Sequence, residues 1–293
     1  MPLYRSLLPV ILLVFSLPEA HADRHRPHAA VASAEAWRVD FFDDFDAFAA
    51  ENWQDQILWV NSEDQCYVRD GDYDTREVSD GTLKLRVVDL GAPRPCNNRS
   101  KEGELHPDTA YVASRIATKN RKEFVQGRWT ARLRVPDSGQ PGMFPAWWLL
   151  GALNNESPVE QPDETVCWPM VGSGELDIFE HHSDGGADHY AARIIENLGY
   201  CDGGDWQGTM LVQKAQLADY HEYSVEWLLG DIIFRLDGEE VLRLVAKGEL
   251  FPEPMFAILN FAKINPGPML QTWVMEVDWI KHEHRLTASS ASE

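Results

Sequence analysis

Gly174-Glu175-Leu176-Asp177-Ile178-Phe179-Glu180-His181-His182 sets three carboxylates within six residues of an otherwise apolar, β-prone segment. Burying a charge is costly unless the charge is paired or used. In an extended strand, side chains alternate between faces. Glu175 and Asp177 therefore share one face, with Leu176 and Ile178 on the other. Strict alternation would then place Phe179 beside the acids and Glu180 on the apolar side. One β-bulge between Asp177 and Glu180 reverses this, because an extra residue flips the pattern. The segment reads as a bulged strand with all three acids on one surface, Glu175 and Glu180 outermost and Asp177 between them. Glycoside hydrolysis needs such a set, with one carboxyl ionised and another protonated. Retaining enzymes hold the pair about 5–5.5 Å apart, and inverting enzymes leave more room for a water. Two Glu side chains leaning across a middle Asp favour the shorter separation, and mutual repulsion is expected to raise one carboxyl above the others. Two other readings are weaker. An acidic strand can be a solvated edge, and the cluster Glu180, His181, His182, Asp184 and His189 matches no standard zinc spacing.

Outward from this strand, period-two alternation recurs. Leu83, Leu85 and Val87 form one row, and Trp129, Ala131, Leu133 and Val135 another. Tyr223, Val225 and Trp227 form a third, and Trp273, Met275, Val277 and Trp279 a late strand. Asp237-Gly238 between apolar runs predicts a hairpin turn. Residues 137–142 and 154–165 read as loops. Helical periodicity is scarce. The pattern predicts an all-β chain, a β-sandwich or jelly roll whose concave sheet face offers a cleft for a chain-like ligand.

The 293 residues are 44% hydrophobic, with 11 Trp, 12 Phe and 8 Tyr, enough for one large core. The formal net charge of −21 argues against nucleic acid and anionic membrane surfaces as partners. It also disfavours a highly sulfated polysaccharide. Arg5, the apolar run Leu7–Leu17 and Ala20-His21-Ala22 read as a secretory signal cleaved after Ala22. Residues 1–22 are thus assigned to the signal, 23–35 to a linker, 36–286 to one catalytic domain and 287–293 to a disordered tail. The expected location is secreted or periplasmic, with no membrane association after cleavage and a monomeric state. Cys66, Cys96, Cys167 and Cys201 allow three disulfide pairings, or buried free thiols. Proximity in sequence weakly favours Cys66–Cys96 and Cys167–Cys201.

These residues resemble glycoside hydrolase family 16, in its laminarinase-like branch with the bulged E-x-D-x-x-E signature. Asn61-Ser62-Glu63-Asp64-Gln65-Cys66-Tyr67 resembles the family's early N-x-E-x-Q-x-Y segment. Ser114-Arg115-Ile116, Gly127–Arg132, Gly142–Leu150, His221–Trp227, Asp237-Gly238, Asn260 and Val277–Ile280 follow in the expected order. The resemblance implies a concanavalin A-like jelly-roll sandwich and a retaining double displacement on a β-linked polysaccharide. It assigns Glu175 as nucleophile, Asp177 as the tuning acid and Glu180 as general acid/base. It places Asn61, Glu63, Arg115 and Trp148 at substrate contacts, and His189 and Arg193 near the subsites beyond the cleavage point. Trp147 and Trp148 are consecutive, so one of them faces the cleft and the other the core. His221 is read as structural. No cofactor is required, and a structural Ca²⁺ on the convex side would use Asp278. Departures include Phe144 where the family has Trp, Arg193 where it has His, and no glycine pair after Asn260. The leading expectation is an endo-glycosidase on β-1,3- or mixed β-1,3-1,4-glucan. Galactan hydrolysis (agar, porphyran, carrageenan), transglycosylation and a non-catalytic carbohydrate-binding module stay open.

Overall fold

The computed structural model describes residues 37–201, 208–245 and 250–286. The chain divides into two units, Met1–Ala34 and Glu35–Glu293, and all the described residues lie in the second. The signal, the linker and the tail lie outside the described residues.

The described residues form two sheets. The eight-stranded sheet runs Gly208–Lys214, His189–Ile195, Glu175–Glu180, Met143–Gly151, Met255–Lys263, Arg115–Ala117 and Gln54–Asp55, with Glu123–Phe124 pairing onto Met255–Lys263. The ten-stranded sheet runs Glu239–Val245, Asp231–Leu236, His221–Leu228, Gly127–Arg134, Trp273–Arg285, Thr82–Arg94, Thr109–Ala113 and Cys66–Tyr67. Trp37–Asp43 joins it beside Trp273–Arg285, and Arg76–Ser79 beside Thr82–Arg94. All pairings are antiparallel except Cys66–Tyr67 with Thr109–Ala113. This is the jelly-roll sandwich the alternation predicts, and the acid strand lies inside one sheet rather than at its edge.

The core between the sheets takes the alternating apolar rows. Leu83, Leu85, Val87, Trp129, Leu133, Tyr223, Val225, Trp273 and Met275 come from one sheet. Met143, Trp147, Leu149, Leu176, Phe179, Ile194, Leu259 and Phe261 come from the other. Each fully buried large apolar side chain contributes about 1.5–3 kcal/mol. The late strand departs from the expected row: a bulge between Val277 and Trp279 shifts its phase. Ile280 therefore enters the core, while Trp279 turns outward against Phe42. Asp237 and Gly238 both adopt positive φ, 50° and 83°, in a two-residue hairpin joining Leu236 to Glu239. The twist of that turn matches the flanking strands. Disulfides join Cys66 to Cys96 and Cys167 to Cys201, with Cα separations of 5.8 and 5.4 Å.

Candidate active site

The acid strand is held on both sides. Against Met143–Gly151 the partners are Glu175↔Leu150, Leu176↔Leu149, Asp177↔Trp148, Phe179↔Trp147 and Glu180↔Ala146. Ile178 is the extra residue. Against His189–Ile195 the register likewise shifts between Asp177 and Glu180. Ile178 and Phe179 both enter the core. The bulge therefore falls where the acid spacing requires it, and all three carboxyls emerge on the outer face of the sheet. Asp177 and Glu180 are only 1% and 6% exposed, while Glu175 keeps partial contact with solvent.

Asp177 lies within hydrogen-bonding reach of both Glu175 and Glu180. Burial raises the Glu175 carboxyl first, and the Glu180 charge adds to it, bringing it to about 7. Burial and then Glu175 push Asp177 well above the usual range. Burial and then Asp177 do the same to Glu180. Removal of water, rather than mutual repulsion, is thus the main cause, and all three acids are raised rather than one.

Trp147 is fully buried in the core and Trp148 stands half-buried on the outer face, as consecutive strand residues must. The Trp148 indole N–H donates to Asn260 Oδ1 at 2.8 Å, and Asn260 Nδ2 donates to the Tyr67 hydroxyl at 3.3 Å. Arg115 lies over the Trp148 ring at 4.9 Å. Its Nε donates to Gln56 Oε1 at 2.6 Å, and its Nη2 stands 3.7 Å from Glu156 Oε2. Glu63 is buried and accepts from Gln65 Nε2 at 2.8 Å. Burial raises its carboxyl despite the nearby Arg115. Asn61 is exposed, with φ of 53° in the turn that closes from Glu63 N to Val60 O. Glu63, Arg115 and Trp148 thus join one polar network, with Asn61 on its rim.

On the other side of the acids, Arg193 pairs across the sheet with Asp177 and Met210. Its Nη1 stands 3.1 Å from Glu180 Oε2 and 4.0 Å from Asp177 Oδ2. His189 packs its ring 5.1 Å from that of His181 and directly over Gly185. Phe144, in place of an indole, stacks on His182 at 4.1 Å. His221 is tied to Asp237 Oδ2 at 2.6 Å and to the Gln216 carbonyl, a structural arrangement.

Several contributors carry no local sequence signature. Lys119 Nζ meets Glu164 Oε2 at 2.6 Å, with side chains 0% and 2% exposed, and also donates to the carbonyls of Asn154 and Glu156. This buried pair pins the loop that brings Glu156 to Arg115. Glu253 accepts from the Gly174 N–H at 3.1 Å and from Asn197 Nδ2 at 3.2 Å, directly before Glu175. Gly174 itself is required there, since a Cβ would lie 2.3 Å from the Phe251 ring. Asn260 was visible as a matching residue, but its bond to Trp148 was not.

The Asp278 carboxylate, the expected cation ligand, is engaged by Arg132. Asp43, upstream, is used by the amides of Phe45 and Asn52 and by the Trp53 indole. Among the described residues no group of three or more His, Cys, Asp or Glu is arranged to hold a metal.

The family model for Glycosyl hydrolases family 16 matches residues 72–281. Glucan endo-1,3-beta-glucosidase A1 of Niallia circulans is 26% identical over 222 residues, covering 70% of this chain and 28% of that protein. The chain therefore spans less than a third of that relative's length. The LamA structure from Z. galactanivorans, in complex with laminaritriose and laminaritetraose, superposes with a TM-score of 0.69. Its identity is 22%, over 84% of this chain and 98% of that one. A structure from human gut microbiota, described with endo-acting O-glycanases of mucin breakdown, superposes with a TM-score of 0.69. There the identity is 21%, over 87% and 92% of the two chains. With the bulged strand in place and the family model spanning most of the chain, the chain belongs to glycosyl hydrolases family 16.

Proposed function

We propose that this chain is an exported endo-β-1,3-glucanase that works by double displacement with retention of the anomeric configuration. The observation that carries it is the bulged register that brings Glu175, Asp177 and Glu180 to one face of the acid strand. Two Glu side chains leaning toward each other across a middle Asp favour the short separation of retaining enzymes.

In the first half-reaction Glu175, ionised, attacks the anomeric carbon while Glu180 gives its proton to the leaving oxygen. In the second, Glu180 takes a proton from water, and the resulting hydroxide displaces Glu175 from the glycosyl-enzyme. Asp177, between them, tunes both carboxyls. Trp148 offers a flat apolar face to the C–H side of a sugar ring, and Asn61, Glu63 and Arg115 address hydroxyls on the glycone side. These steps need only carboxylates and water.

The resemblance to a glucan endo-1,3-beta-glucosidase and to a laminari-oligosaccharide complex supports β-1,3-glucan as substrate. Arg193 was a reason to consider acidic or sulfated galactans. Its guanidinium is turned toward the acids, 3.1 Å from Glu180 and 4.0 Å from Asp177, rather than outward to an anionic sugar. Two disulfides are in keeping with an oxidising, exported location.

The test is reducing-sugar release from laminarin by the full chain, with Glu180→Ala alongside, and proton NMR of the first-formed anomer. Release of β-anomer that is lost in the variant supports the assignment. Release of α-anomer refutes retention. No release from folded wild-type protein refutes β-1,3-glucan, leaving mixed-linkage glucan and galactans to be assayed.

A further inference from the structure

The acids of this site come with a cation built onto the neighbouring strand. The register places Arg193 opposite Asp177, and the bulge brings Ala191 opposite Glu180. The Arg193 guanidinium, 18% exposed, reaches toward Glu180, with Nη1 3.1 Å from Oε2, and its Nη2 rests 3.4 Å from Met210 Sδ. The other charged and titratable groups around Glu180 are few. Its own strand brings Asp177 and, beyond it, Glu175. The strand Met143–Gly151 carries no titratable residue. The segment that follows brings His181 and His182, and burial, then Arg193, lowers His182 to about 4. His189 packs on His181, and Lys214 lies across from His189, two register positions beyond Ala191. Lys263, on Met255–Lys263, is paired with Asp64. Among the described residues, Arg193 is the cation in contact with Glu180.

We propose that Arg193 is the counter-ion for Glu180 as it gives up its proton, a positioning residue for expulsion of the leaving sugar. The inference rests on Glu180 being the general acid/base. In that step the O–H bond of Glu180 breaks and an O–H bond forms on the leaving oxygen. The anomeric C–O bond breaks toward that oxygen, and a Glu175 oxygen bonds to the anomeric carbon. Negative charge thus disappears from Glu175 and appears on Glu180, 3.1 Å from the guanidinium. A fixed cation where charge develops stabilises the transition state more than the ground state.

The test compares kcat/KM of Arg193→Met, Arg193→Lys and wild type on two substrates: laminarin, and 2,4-dinitrophenyl β-laminaribioside. The dinitrophenolate leaves without needing a proton, so its departure does not depend on Glu180. The expected result is a loss of about 10–100-fold on laminarin for Arg193→Met, with less than about 3-fold on the aryl substrate. Arg193→Lys, which keeps the charge, recovers most of the laminarin activity. The cation favours ionised Glu180, so its removal moves the alkaline limb of kcat/KM to higher pH. Equal losses on both substrates, no loss on laminarin, or an unmoved alkaline limb would each overturn the proposal. Glu180→Ala on the aryl substrate with added azide checks the underlying assignment separately. Failure of azide to restore turnover there removes Glu180 as acid/base, whatever Arg193 does.

Discussion

Replacing Glu175 with Gln is expected to stabilise the protein, and to do so only above a defined pH. The Glu175 carboxyl sits at about 7 in the folded state against an ordinary 4.5, with burial first and Glu180 second as causes. Between those values the folded state holds a proton that the unfolded state has lost. Stability therefore falls as pH rises from 4.5 to about 7 and stays lowered above that. The difference corresponds to about 3 kcal/mol at most. Partial exposure of Glu175 pulls the value down, while relief of Asp177 and Glu180 adds in the same direction. Gln keeps the shape and removes the charge. Thermal melts of both full chains at pH about 4, 5.5 and 7.5 should show no gap, a small gap and a full gap, in that order. The full gap is roughly 6–12 °C at the upper limit. A gap that is the same at all three pH values, or a variant less stable at the highest, would refute the claim that this site is strained by burying charge for chemistry.

The same carboxyl sets the acid limb of activity: kcat/KM on glucan should fall about tenfold per pH unit below about 7, measured from initial rates in one buffer series. Trp148→Phe keeps a ring but loses the N–H to Asn260, so KM should rise about 3–10-fold. Trp148→Ala, read in the same titration, should raise KM further with a smaller effect on kcat. Glu253→Ala leaves the Gly174 N–H without its acceptor and Asn197 Nδ2 with only the Leu250 carbonyl, at a cost of about 1–3 kcal/mol in denaturant titration, and should lower kcat by loosening Glu175. Lys119→Met strands Glu164 as a buried charge and should cost about 3–5 kcal/mol, whereas Lys119→Met with Glu164→Leu should recover most of it in the same unfolding assay.

By itself, the sequence determined what depends on periods within one strand. The spacing of Glu175, Asp177 and Glu180 requires a bulge if Phe179 is to be buried, and the bulge lies there. Alternation likewise identified most core rows, and Asp237-Gly238 identified its own turn. The late strand escaped this logic because its bulge at Val277/Trp279 has no acid pattern to announce it. Tertiary structure decided everything that depends on which strands meet and in what register, because a period of two sorts faces but does not choose neighbours. Alternation left Trp147 and Trp148 interchangeable, and packing sent the first to the core. Arg193 reaches Glu180 only through the register of the adjoining strand. Glu253 arrives from 79 residues away to hold Gly174, and Lys119 from across the fold to hold Glu164. The protonation of the three acids belongs to the same class: residue spacing supplies their repulsion, but burial in the folded sheet supplies the larger desolvation that raises all three.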